Sequence, residues 1–343
     1  EIAKKVYGKD IKQSEDKNNI IYTSYIETSK YILEQIYFAA GAAGAAPGKD
    51  VGFLVFDKEL GTIEQIEEFS DPVISDKVYR PIVDDLMETK TINLPSDAIE
   101  YGSTDKLVEE ISQFLSTYFE LPSFYEKFLP YLALFYWVYD KFPFVPYLHF
   151  VGRTSTGNST AMEVFGSICY KSIDASGAIT MASIFRTASR WRGTLLLDEF
   201  SASGDSYHEM VAFLKSGVSN KAVLRVEGDR EKEVKAYMIK SPKLFTSEDV
   251  LTDAGLQSRT IVIKMDKNRR RIPLYRLKKY EDDALTIRNK LLMWRFRNLG
   301  KIDLTSIEYG FEELMGFDRR VQQVITPIFY FSNEATKADI LEF

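Results

Sequence analysis

The feature that most constrains the fold lies near the middle of the chain. An apolar run, VPYLHF at 145–150, passes without a polar break into VGRTSTGNST at 151–160. A short apolar run bounded by glycine reads as a buried strand, and NSTAMEVFGSICY behind the loop reads as a helix. From 145 to about 265, strand-like and helix-like stretches alternate, so an α/β layer is expected. The spacing inside the loop is that of a phosphate-binding loop: Gly152, four residues, Gly157, one residue, then Ser159 and Thr160. In such a loop the backbone N–H groups, here those running through Ser155, Thr156 and Gly157, turn toward phosphate oxygens. The helix N-terminus adds partial positive charge. Ser159 is placed to hold Mg²⁺ through its hydroxyl. The position between Gly157 and Ser159 calls for lysine, and here it is Asn158. Taken alone, the glycine pair fits a polar turn equally well.

A second stretch changes that balance. GTLLLDEF at 193–200 is an apolar run ending in adjacent carboxylates, Asp198 and Glu199. A buried strand with this ending delivers both acids to the carboxyl end of a sheet, where open α/β sheets bind ligands. Asp198 suits the Mg²⁺ shell, and Glu199 suits orienting or deprotonating an attacking water. The pair falls about forty residues beyond the loop, room for a helix, a strand and a helix. A third strand, SPKLFTSED at 241–249, ends in Thr246 and Ser247, either of which could reach a terminal phosphate or the water; a strand-end turn accounts for them equally well. In LTDAGLQSRTIVIKM, Arg259 stands just before another apolar strand. KAVLRVEGDREKEVKAYMI, 221–239, has two strand-like arms around Gly228-Asp229, a hairpin pattern that carries Lys221, Arg225, Arg230, Lys232 and Lys235.

The order of these parts resembles the helicase domains of the superfamily III and AAA+ group, and more closely the primase-associated or replicative helicases of plasmids, viruses and integrated elements. The resemblance covers about 120–330. It implies a P-loop ATPase core, a homo-hexameric ring with ATP and Mg²⁺ at each interface, and a hairpin that tracks single-stranded DNA in the central channel. By position Gly152, Gly157, Ser159 and Thr160 match the first motif, and Asp198 and Glu199 the second. Thr246 or Ser247 matches the sensor, Arg259 an arginine finger acting in the next subunit's site, and Arg319 or Arg320 a second sensor. A primase domain or protein is a further partner that the resemblance implies.

Asn158 departs from that pattern. Lysine places a full charge on the β- and γ-phosphates, whereas an amide offers one neutral donor. A hydrogen bond to a charged group contributes roughly 1.5–3 kcal/mol, more of it felt when charge shifts in the transition state. Nucleotide binding should weaken and hydrolysis fall sharply. The other motif residues are all in place, which points to a recent or introduced loss rather than an old pseudo-enzyme.

The rest of the chain is divided by the same reading. Residues 1–100 form a small β-rich accessory domain after a leading helix at TSYIETSKYILEQIYF, 101–144 a helical segment, 145–274 the ATPase core with hairpin 221–239, and 275–343 a helical tail. STDKLVEEISQFLSTYFEL at 103–121 is an amphipathic helix capped by Ser103 or Thr104. The stretch 264–280 carries eight Lys or Arg against one Asp, and its Tyr275 and Tyr280 suit nucleic-acid contact or, equally, a solvated linker. A net charge of −6 argues against coating nucleic acid over the whole surface but not against a local basic channel. One cysteine, Cys169, excludes an internal disulfide framework and suits a reducing, cytoplasmic setting. The longest apolar stretch, 128–139, is too short to span a membrane. The chain opens mid-pattern, as a piece of something longer would. The sequence therefore leads to an ATP-driven ring translocase on DNA, weakened at Asn158. An ATP-switched initiator or assembly factor, and a catalytically dead structural ring, are the alternatives.

Overall fold

The computed structural model describes residues 19–38, 51–71, 76–176, 180–198, 205–227, 233–273, 275–303, 305, 307 and 310–342. They fall into two compact units that divide after Val83. Residues 84–100, read from sequence with the accessory domain, pack with the larger unit, because Ile92–Asn93 is a strand of its sheet.

Among the described residues the smaller unit is all β. Strands β1 (Ile20–Tyr22), β2 (Tyr25–Glu27), β3 (Tyr31–Tyr37), β4 (Val51–Asp57), β5 (Ile63–Ile66), β6 (Phe69–Ser70) and β7 (Val78–Arg80) form two sheets. One is the antiparallel ladder β2-β3-β4-β5 and the other has the order β1-β7-β6. Leu33, Phe53, Val55 and Phe69 make its core, with Ile26, Tyr31, Ile66 and Tyr79 packed against them. The expected leading helix is instead the strand pair β2–β3. Thr28 turns the chain there by accepting from the N–H groups of Lys30 and Tyr31 at 3.2 and 2.8 Å. The error has a physical cause. Both faces of β3 are covered from Ile32 to Ile36, so the two-residue alternation vanishes and the apolar residues fall at helical spacing.

The larger unit is an α/β fold. Its sheet continues the strand numbering with β8 (Ile92–Asn93), β9 (Tyr147–Val151), β10 (Ser172–Asp174), β11 (Leu195–Leu197), β14 (Lys243–Ser247) and β15 (Thr260–Lys264). Between β11 and β14 the chain makes a two-stranded ribbon, β12 (Val223–Glu227) and β13 (Glu233–Tyr237). The sheet order is β15-β9-β14-β11-β10-β8, parallel except for β8. β9 is buried along its whole length because a strand flanks it on each side. From β9 the chain crosses to β10 near the far edge, returns through β11 and β14, and ends on β9's other side.

Helices Thr104–Tyr118 and Ser123–Tyr136 precede β9, and the Ser103 hydroxyl caps the first by accepting from Lys106 N–H. The second is buried on all sides from Phe128 to Tyr136 and tolerates Pro130 within it. Helix Lys278–Asn298 is anchored by Arg295, which is fully buried and pairs with Asp140 at 2.8 Å. No described helix is long and apolar enough to cross a membrane.

Candidate functional site

The glycine loop leaves β9 at the carboxyl end of the sheet. Its root is fastened by both neighbouring strands: Gly152 N–H donates to the Ser247 carbonyl at 3.1 Å, and Met265 N–H donates to the Val151 carbonyl at 2.7 Å. Gly152 has to be glycine, since a Cβ there would stand 2.2 Å from the Thr156 hydroxyl. The loop then turns through Ser155 at φ +71° and Gly157 at φ +84°, both left-handed. The Thr156 N–H and hydroxyl both donate to the Arg153 carbonyl, at 3.1 and 2.8 Å, and Thr154 Oγ1 donates to Glu248 at 2.9 Å. Gly157 caps the helix Asn158–Ile168. Asn158 reaches back across the neck of the loop: its Nδ2 donates to the Gly152 carbonyl at 3.1 Å, while its Oδ1 accepts from Ser159 N–H at 3.0 Å.

The end of β11 meets this loop. Leu195, Leu196 and Leu197 are buried, and Asp198 follows them. One oxygen of Asp198, Oδ1, accepts from Ser159 Oγ at 2.9 Å and from Thr246 Oγ1 at 2.5 Å. The structure thus brings together a hydroxyl from the loop helix, a carboxylate from one strand and a hydroxyl from another. Glu199 lies outside the described residues. Ser247, the other candidate at the end of β14, has a different role. Its hydroxyl donates to the Asp249 carbonyl and lies 2.7 Å from His149 Nε2. That arrangement makes Nε2 the protonated nitrogen and leaves Nδ1, which is buried and has no partner among the described residues, as a bare acceptor. His149 lies against the Phe245 ring, and burial pulls its pKa down to about 4, so it is neutral. Sequence reasoning missed it. Its one trace is a histidine inside an otherwise apolar strand run.

Arg259 is at the opposite end of the same sheet. It immediately precedes β15, whose first residue, Thr260, pairs with Tyr147, whereas the loop leaves from the other end of β9. A role at its own chain's loop is therefore excluded by geometry. Its guanidinium donates to the Gly255 carbonyl, and its buried Nε has no partner among the described residues. Burial first, and the neighbouring Arg320 second, hold its pKa below the usual arginine value. Arg259, Arg320, Lys215 and Lys221 line one cleft of about 620 Å³. Arg320 thus joins Arg259 at the amino end of the sheet, away from the loop, while Arg319 lines a separate hollow beside Phe142 and Pro327. Lys215 is paired with Asp253 at 2.8 Å.

The ribbon β12–β13 occurs where the hairpin pattern places it, with Arg225 opposite Lys235 and Val226 opposite Val234. Arg225 faces inward: its guanidinium lies 4.5 Å from the Phe185 ring centre and 4.0 Å from Glu209. The other face carries Leu224, Val226 and Val234, each more than 60% exposed. Lys221 precedes the ribbon and belongs to the basic cleft. Arg230 and Lys232 lie outside the described residues. The described part of the ribbon therefore offers solvent an aliphatic face, with Lys235 exposed on the other.

The basic stretch after β15 runs against the glycine loop. Met265 packs on Gly152, and Asn268 Nδ2 lies 3.9 Å from where a Cβ on Gly157 would stand. Arg269 N–H donates to Glu120 at 2.8 Å and Arg270 to the Phe119 carbonyl at 3.0 Å. Arg276 pairs with Glu163 on the loop helix. Tyr275 sits beside Thr160 and Glu163, whereas Tyr280 is a core residue packed on Phe114 and Tyr118, its pKa pushed up to about 12 by burial. Tyr280 is thus withdrawn from nucleic-acid contact. Local sequence gives no indication that this segment returns to the loop.

No protein-family model matches the chain, and no curated protein matches it. Among solved structures it is similar to the apo A form of the NrS-1 C-terminal region, with a TM-score of 0.39 and 11% identity over 90% of this chain and 71% of that one.

Proposed function

We propose that the chain is an ATP-binding motor module that works in a ring of identical copies on single-stranded DNA, with hydrolysis restrained by Asn158. The observation that carries the nucleotide part is the contact of Ser159 Oγ with Asp198 Oδ1 at 2.9 Å, beside a glycine loop at the carboxyl end of a parallel sheet. Ligands of open α/β sheets bind at that end. The DNA part rests on the order of the motifs and on the resemblance to ring helicases.

The donor set suits Mg²⁺, which is held by one or two carboxylate or hydroxyl oxygens and completes its shell with water and substrate phosphates. Ser159 and Asp198 would hold it, and it would supply charge neutralisation between the outer phosphates. The N–H groups of Thr156 and Ser159 are engaged by the Arg153 carbonyl and by Asn158 Oδ1, so the cradle for the phosphates falls to the N–H groups of Ser155, Gly157 and Asn158. Thr246 donates to the same Asp198 oxygen that accepts from Ser159 and so helps to hold the carboxylate in one orientation. Glu199, adjacent to Asp198 in sequence, is the residue for the attacking water. Arg259 and Arg320 act on a neighbouring copy's nucleotide, since neither can reach its own.

One observation favours an ATP-switched assembly role over a fast motor. The Asn158 side chain is built into the loop, closing it from Gly152 to Ser159, and so fits binding without efficient turnover. Exchanging Asn158→Lys separates the two. A steady-state ATPase assay should show Mg²⁺-dependent hydrolysis rising by orders of magnitude, because each 1.4 kcal/mol of transition-state contact is worth about tenfold. Asp198→Asn in the lysine background is the control. A folded lysine variant no faster than that control would overturn the motor reading.

A further inference from the structure

The segment 265–273 does more than connect β15 to the last helices. It crosses the glycine loop and is fixed on both sides of it. Met265 is held to β9 and packs on Gly152, Asn268 lies over Gly157, and the backbone of Arg269 and the side chain of Arg270 are tied to Glu120 and Phe119. Two cations flank Asn268, namely Lys267 and Arg269. Both side chains are exposed and neither has a partner among the described residues; Arg270, by contrast, is engaged with a carbonyl. The loop itself ends in Asn158, whose amide is turned back onto Gly152. The loop therefore lacks a charge from its own helix, while the strap beside it carries an exposed cation on each side of Asn268, the residue nearest Gly157.

On the nucleotide reading above, we infer that Lys267 and Arg269 supply the positive charge that Asn158 does not, so that the ligand's phosphates are held between the loop backbone and this strap. The chemistry recognised is a nucleoside triphosphate, through the charge of its outer phosphates. Lysine and arginine suit this task from a distance because both carry long, flexible stems and donate to phosphate oxygens. The fixed backbone of the strap limits the entropy lost when they close on the ligand.

The test is isothermal titration of MgATP into the wild-type protein, into Asn158→Lys, into Lys267→Gln with Arg269→Gln, and into that pair combined with Asn158→Lys. Glutamine removes the charge but keeps a flexible polar side chain, and the backbone N–H of Arg269 that donates to Glu120 is retained. Lys278→Gln with Lys279→Gln, on the exposed start of a helix, controls for general charge. The inference expects the strap pair to lose about tenfold or more in affinity, the helix pair to stay within about twofold, and Asn158→Lys to restore binding in the strap-neutralised protein. Wild-type binding that the strap pair leaves within twofold overturns the inference and leaves the nucleotide site standing. So does an Asn158→Lys protein that binds where wild type does not. Absence of MgATP binding to both wild type and Asn158→Lys overturns the site reading itself, and the strap with it.

Discussion

One strand, β14, carries a polar anchor at each of its ends, and the two behave differently. At its carboxyl end Thr246 donates to Asp198, a carboxylate that also receives Ser159 and stands beside an exposed loop. At its amino end Lys243 is fully buried, and its ammonium donates to the carbonyls of Ile239 and Ser241 at 2.8 and 2.9 Å and approaches that of Gly217 at 3.5 Å. Burial pushes the Lys243 pKa well below the ordinary lysine value. Both are strand-end groups surrounded by partners. Access separates them. The loop beside Asp198 opens to solvent, so that site can admit a ligand, whereas Lys243 is enclosed by backbone and rings and can only hold structure together. It joins the end of helix Asp205–Ser216, the exit of the ribbon and the sheet at one point. The cations with spare capacity at that end, Arg259 and Arg320, lie outside it on the cleft.

The comparison breaks most severely if the carboxyl end proves structural. In an Asn158→Lys background, Asp198→Asn should lower Mg²⁺-dependent hydrolysis by about a thousandfold while moving thermal stability little, because the exposed side of the site rehydrates the lost contact. A large loss of stability with an unchanged rate would reverse the roles assigned to the two ends.

The amino end should answer in the opposite way. Lys243→Met leaves buried carbonyls without their donor and should cost about 2–4 kcal/mol of folding free energy, read by denaturant unfolding. MgATP affinity of the folded protein should be unchanged. An equally stable variant would show that Lys243 does not join these elements.

A smaller effect, in pH rather than in a rate, sharpens the picture of the strand beside the site. His149 is held to a pKa of about 4 by burial, below its unfolded value of about 6.5. Between those values the unfolded chain takes up a proton that the folded chain refuses. The stability is therefore full above about pH 6.5 and is lost as pH falls toward 4, by roughly 2 kcal/mol at pH 5. His149→Phe should remove that slope, though it leaves Ser247 without its imidazole partner. An identical pH profile in the variant would mean that His149 titrates normally.

What the sequence disclosed follows from how local each feature is. The glycine loop, the Asp198 strand end and the hairpin 221–239 are written in consecutive residues, because turn chemistry and buried parallel strands leave short patterns. Read from sequence, Thr246 and Ser247 were interchangeable. Only the packing of β14 between β9 and β11 gives Thr246 to Asp198 and Ser247 to His149. The inward turn of Arg225 onto Phe185, the meeting of Arg259 with Arg320 and the return of 265–273 to the loop all join residues distant in sequence. The strand pair β2–β3 is hidden for a related reason: β3 is buried from Ile32 to Ile36, which removes its alternation.

On the proposed function, the two ends of the sheet are halves of one site contributed by different copies. Mixing tests it most directly. In the Asn158→Lys background, Arg259→Ala and Asp198→Asn should each be inactive alone. A mixture should recover Mg²⁺-dependent ATPase, because some interfaces then pair an intact loop and Asp198 with an intact Arg259. Recovery should rise to a maximum near equal proportions. No recovery at any ratio, from variants that are folded and assemble together, would contradict that reading and return Arg259 to a structural contact with Gly255.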